Sequence, residues 1–176
     1  MLEDNHLINE NRLLLEQAAV IIGDLPDDIY THKEIKPFFS SAGQHVRHIL
    51  NFYDCFFACQ NGRIDYDQRT REKDVEADPV VAVKKIETLL TAFEKDIDPE
   101  KEVWSKNDDS GGRDPNSAFS RSTFGRELQF LSSHTVHHYA MIAYILNAQG
   151  VTTPETFGVA ASTLIHWHET GRLTSF

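Results

Sequence analysis

The sequence predicts an all-α protein: an up-down-up-down four-helix bundle with a long loop between helices three and four and a short helical C-terminal tail. Three observations carry this. Four long stretches repeat apolar residues at helical spacing. Cap and stop signals bound those stretches, and turn-rich or charged segments separate them. With 176 residues the chain favours a single domain, 1–176, with the bundle in about 1–150 and an extension over 151–176.

Helix one is expected from about Asn5 to Ile22, with Leu7, Leu14, Ala18 and Ile21 on one stripe and Gly23 as its stop. Helix two opens at "SAGQ", which reads as a capping box with Ser41 as N-cap and Gln44 three residues on. It should run to Gln60 and stop at "NG". The stretch "RIDYDQRTREKDVEAD" is dense in charge and reads as a solvated loop. Asp78–Pro79 starts helix three, since Pro suits the first helical position. Val83, Ile86, Leu90 and Phe93 carry it to about Asp96.

Residues 98–121 form the long connection, with "NDDSGGRDPN" as a turn signal at its centre. Apolar pairs on either side, Val103–Trp104 and Ala118–Phe119, permit a small hairpin. Helix four opens near Ser122 or Thr123 and ends at Gly150. "TTPET" and "STLIHWHETGRL" predict one or two short helices in the tail.

The composition excludes some classes of function. Acidic residues outnumber basic ones 27 to 17, a formal net charge of −10, and no lysine- or arginine-rich block is present. An electrostatic footprint for nucleic acid is missing. No apolar run reaches the length of a membrane-spanning helix, and the N-terminus does not read as a secretory signal. Cys55 and Cys59 lie one helical turn apart, which suggests no disulfide framework, so a reducing cytoplasm is expected. The outlier is nine histidines.

Three of them fall in "SSHTVHHYAMIAYIL", a run that otherwise reads as buried helix. An imidazole is costly to bury without a partner. His134 and His138 are spaced i, i+4 and so share a face, where both can reach one metal ion. Helix two offers a third ligand in "GQHVRHILNFYD": His48 is favoured, and His45 is the alternative. Three neutral imidazoles with an open position is the arrangement of catalytic zinc, whereas structural zinc closes with four protein ligands. The plainer alternative is that histidines one turn apart merely decorate a helix surface.

His137 is offset from the pair. His137 and His45 are the candidates for proton transfer. His6 and His32 read as surface residues, and His166 and His168 as packed or solvent-facing in the tail. Cys55 and Cys59 read as core filling. Glu127, two turns before His134, is a candidate acceptor for a ligand imidazole, with a solvated glutamate as the alternative.

"RHILNFYD" around His48 and "SHTVHHYAM" around His134 and His138 resemble the DinB/YfiT-like family of metal-dependent enzymes, over about residues 1–150. The resemblance implies a four-helix bundle holding a divalent metal, zinc or nickel before iron or manganese. His48, His134 and His138 would be its ligands. It also implies a thiol-dependent S-transferase or isomerase using a low-molecular-weight thiol. The alternatives are a hydrolase in which the metal activates water and a non-catalytic metal- or ligand-binding bundle. A small-molecule substrate is the expected partner, and the bundle could pair as a homodimer. The family's usual Gly-Gln after the paired histidines is Ala140–Met141 here.

Overall fold

The computed structural model describes residues 4–33, 36, 39–107 and 118–173. They are mostly helical, with a small three-stranded sheet. The centre of the turn signal, residues 108–117, lies outside the described residues.

The four long helices stand where the apolar periodicity puts them. They are α1 (Asp4–Gly23), α3 (Ala42–Phe57), α5 (Pro79–Ala92) and α6 (Phe124–Ala148). Helix α1 packs on α5 and α6, and α3 packs on α6 and α5. The buried face of α1 is Asn11, Leu15, Ala18 and Ile22, one position round from the expected stripe. Leu7, Leu14 and Ile21 flank the core as half-buried residues.

Caps fix the helix starts. Ser41 Oγ accepts from the Gln44 N–H while the Gln44 side chain accepts from the Ser41 N–H, so α3 opens with a complete capping box. Asp78 accepts from the Val80 and Val81 N–H groups at the start of α5. Thr123 accepts from the Arg126 N–H at the start of α6.

A buried polar relay ties three long helices together. Tyr53 Oη on α3 donates to Asn11 Oδ1 on α1 at 2.8 Å, and Asn11 Nδ2 donates to the Leu128 carbonyl on α6 at 3.1 Å. Tyr53 Oη also lies 3.3 Å from Thr135 Oγ1. Asn11 and Tyr53 are wholly buried, so each bond offsets a desolvation cost that apolar packing would not incur.

The main corrections lie between the helices. The connector carries a short α2 (Asp27–Thr31) that buries Tyr30. Helix α3 stops at Phe57, not Gln60. Asn61 and Gly62 both take positive φ, and Gln60 and Arg63 exchange backbone hydrogen bonds across them, so "NG" is a tight hairpin turn rather than a helix stop. The charged stretch is not a free loop. It forms β1 (Arg63–Asp65), one 3₁₀ turn (Tyr66–Gln68) and α4 (Lys73–Ala77), pinned by buried Ile64, Tyr66 and Val75. Those three apolar residues outweigh the surrounding charge.

The expected hairpin exists as β2 (Glu102–Lys106) and β3 (Ser120–Thr123), paired antiparallel with Val103 opposite Ser122. It is one strand larger than expected, because β1 adds to β2 in parallel with Ile64 opposite Ser105. Helix α5 ends at Ala92, a turn short of Asp96. In the tail, "TTPET" leads into a turn whose Phe157 stacks on Tyr139. One helix follows, α7 (Ala161–Glu169). No helix among the described residues is long and apolar enough to cross a membrane.

Candidate metal centre

Helices α3 and α6 pack against each other and bring their histidines together. One ring nitrogen from each of His48, His134 and His138 lies within 4.8 Å of the other two. Nε2 of His48 and Nε2 of His134 are 3.1 Å apart. Ligand nitrogens at about 2.0–2.1 Å from one ion stand roughly 2.8–3.4 Å apart in octahedral or tetrahedral geometry. The donor set and its spacing therefore fit a divalent ion with small adjustments. The ring centroids of His138 lie 4.5 Å from those of both His48 and His134.

His45 is not in that group. Its Nδ1 lies 2.9 Å from Nδ1 of His138, and its Nε2 lies 2.7 Å from Ser40 Oγ. With Nδ1 of His138 engaged, Nε2 is the nitrogen left to face His48 and His134. A contact between two ring nitrogens needs one donor and one acceptor. His45 thus orients His138 from behind, as outer partners of metal-binding imidazoles commonly do.

Aromatic rings wall the site. Phe52 sits 5.0 Å from His48 and 4.3 Å from His134, and Phe130 stacks on His134 at 5.5 Å. This environment keeps the imidazoles neutral. Burial first, and then the neighbouring charges of His134 and Arg69, pull His48 down to about 3. Burial with His137 and Arg69 brings His134 to about 4, and burial with His134 and His48 brings His138 to about 2. His45 is also lowered, by burial and then by His137. Neutral imidazole is the form that ligates a metal.

The other candidates lie apart. His137 is exposed, its ring edge-on to His138 at 5.2 Å. Glu127 is neither solvated nor bonded to His134: it is buried and accepts from Ser122 Oγ at 2.5 Å. Cys55 is buried, and burial pushes its thiol up to about 11, while half-buried Cys59 is raised for the same reason. His6, His32, His166 and His168 are exposed.

Sequence reasoning missed the rim. A cavity of about 260 Å³ opens beside His48, lined by Arg47, Asn51, Asp67, Arg69 and Arg71. The guanidinium of Arg69 lies 4.4 Å over the Phe52 ring. Arg47 stands on α3, and Arg69 and Arg71 belong to the charged stretch that reads as a solvated loop, where nothing in their spacing sets them apart.

A mostly helical protein that gathers three neutral imidazoles from two helices has a donor set that could hold a metal ion. Comparison with known sequences specifies it further: the chain belongs to the DinB family, whose sequence model matches residues 1–168. It is also similar to a protein of Rhizopus delemar called FK506-binding protein 5, 34% identical over 106 residues. That match covers 58% of this chain and 27% of the relative, so the chain spans about a quarter of that protein's length. No solved structure matches the chain.

Proposed function

We propose that this protein is a metal-dependent enzyme in which His48, His134 and His138 hold a divalent ion with one position left for an exogenous ligand. The carrying observation is the group itself: three imidazoles held neutral, within 4.8 Å of one another, with no cysteine or carboxylate among them. Nitrogen donors suit zinc or nickel, with iron next and manganese least. The four long helices act in this reading as an up-down-up-down bundle and a single domain over 1–176.

When bound, the ion would supply Lewis acidity and lower the pKa of a thiol or water beside it. The reaction this favours is transfer to or from a low-molecular-weight thiol. Hydrolysis is the competing reaction, and substrate turnover separates the two. His45 holds His138 in register through their Nδ1 atoms, and Ser40 Oγ on its Nε2 holds His45 in turn. Phe52 and Phe130 shield the imidazoles from water, and the cavity beside His48 would admit a small molecule. The protein would work in the cytoplasm, as a monomer or homodimer.

The test is cobalt substitution. Cobalt(II) should give a visible spectrum that changes when 2-mercaptoethanol is added. His134→Ala should abolish it while helical circular dichroism persists. A spectrum indifferent to added ligands would point to a closed, four-ligand site and end the enzyme reading. So would unfolding on chelation.

A further inference from the structure

We propose that the cavity beside His48 is an anion subsite, in which Arg69 and Arg71 grip a carboxylate or phosphate of the small molecule that reaches the three histidines. The proposal rests on the metal-dependent reading above and adds the class of ligand.

The cavity carries unmatched positive charge. Asp67 in its lining and the carboxylates near it are engaged with other cations. Asp67 lies 3.3 Å from Lys106 Nζ, Glu76 lies 3.3 Å from Arg47, and Glu72 shares Lys85 Nζ with Asp54, at 3.4 and 2.9 Å. Glu72 also accepts from Asn51 Nδ2 at 3.1 Å. Arg69 and Arg71 form no ion pair among the described residues, although the chain has a formal net charge of −10. Arg69 is not trailing in solvent. It is half-buried and fixed over Phe52, whose ring also touches His48 and His134.

Beside neutral imidazoles the guanidinium meets no like charge, but a divalent ion held by them would repel it. An anion in the cavity would relieve that repulsion. The planar fork of arginine matches a carboxylate or phosphate with two parallel hydrogen bonds. Half-buried Arg69, in extended backbone, and exposed Arg71, two residues on, both line the cavity. Its approximately 260 Å³ suits a small anionic group rather than a large cofactor. Strand β1 and the Asp67–Lys106 pair anchor the segment just before Arg69 to the sheet.

Two measurements test the proposal on the full chain. In the metal-free protein, succinate and inorganic phosphate are titrated against thermal unfolding, in wild type and in R69Q/R71Q. Stabilisation of the wild type that the variant loses is the expected result, and whichever anion acts at lower concentration identifies the group. Equal response of the two proteins, or none in either, overturns the proposal. The double variant R69K/R71K guards against misfolding. It keeps the charge and loses the fork, and should respond in between.

In the cobalt protein, 3-mercaptopropionate is compared with 2-mercaptoethanol. The carboxylate should tighten binding by about tenfold or more, the range of a charge-assisted hydrogen bond, and R69Q/R71Q should erase that preference while still taking up cobalt. Equal affinity of wild type for both thiols overturns the anion subsite and leaves the metal reading standing. If neither thiol alters the spectrum, the open-position reading fails, and the metal-free titration still decides the subsite.

Discussion

Metal uptake by three ordinary histidines is a proton-releasing reaction, and here it should not be. At about pH 6 a histidine with the unperturbed pKa of about 6.5 carries roughly 0.76 of a proton. Three such ligands would release about 2.3 protons on binding an ion. In this protein the folded values of His48, His134 and His138 are about 3, 4 and 2. At pH 6 each ring would then hold about 0.01 of a proton or less. The predicted release is close to zero, and nickel affinity should be flat between about pH 5.5 and 7. Titration calorimetry of the metal-free protein at pH 6 measures this directly. The observed enthalpy is compared in two buffers of different ionisation enthalpy, and the slope counts protons. A slope near two would refute the claim that burial and mutual repulsion already hold the cluster neutral. It would then be an exposed, ordinarily titrating set.

The same shifts set the acid limit of the metal-free protein. The folded values lie below the unfolded one of about 6.5, so the unfolded chain binds more protons at acid pH. Stability is therefore whole above about pH 6.5 and falls as pH drops towards the folded values. The slope is at most about 1.4 kcal/mol per pH unit for each histidine, reduced because the rings are partly exposed. Urea midpoints between pH 7 and 5 check this, and a midpoint independent of pH would contradict it. Tyr53→Phe strands the buried Asn11 Oδ1 that its hydroxyl serves. It should cost about 1–3 kcal/mol in urea unfolding, and an unchanged midpoint would remove that relay from the account of how α1, α3 and α6 are held together.

Legibility in the sequence followed the range of the forces at work. Caps are local, and Ser41, Gln44 and Asp78 were readable because side chain and backbone meet within three residues. The i, i+4 geometry of His134 and His138 was readable for the same reason. Choosing between His48 and His45 was not, because helix two offers both on inward faces and only the rotation of α3 against α6 separates them. That rotation puts His48 into the group and His45 behind His138. The sheet was harder still. β1 and β2 are far apart in sequence and pair in parallel, and β1 is three residues long. Its apolar content is one residue, Ile64, too little to register as a pattern, so charge dominated the reading of the whole stretch. Arg69 and Arg71 at the cavity follow that strand in the chain.

The number of protein ligands follows from how the neighbouring side chains are engaged. The chain carries four groups near enough in sequence to serve as a fourth ligand, and each is diverted. His45 uses one nitrogen towards His138 and the other towards Ser40. His137 lies on the exposed side of α6. Glu127 turns to Ser122, towards the sheet. Cys55 is sunk in the core with its thiol raised to about 11, far from the thiolate a metal would need. The core meanwhile needs no ion to form, since apolar faces of α1, α3, α5 and α6 meet with Leu15, Leu50, Ile86 and Leu131 essentially fully buried. A folding role for the metal would call for the opposite arrangement: a closed ligand set and a weak core. The proposed enzyme reading calls instead for what stands here: a three-imidazole set in a self-sufficient core, beside a cavity with two unmatched arginines.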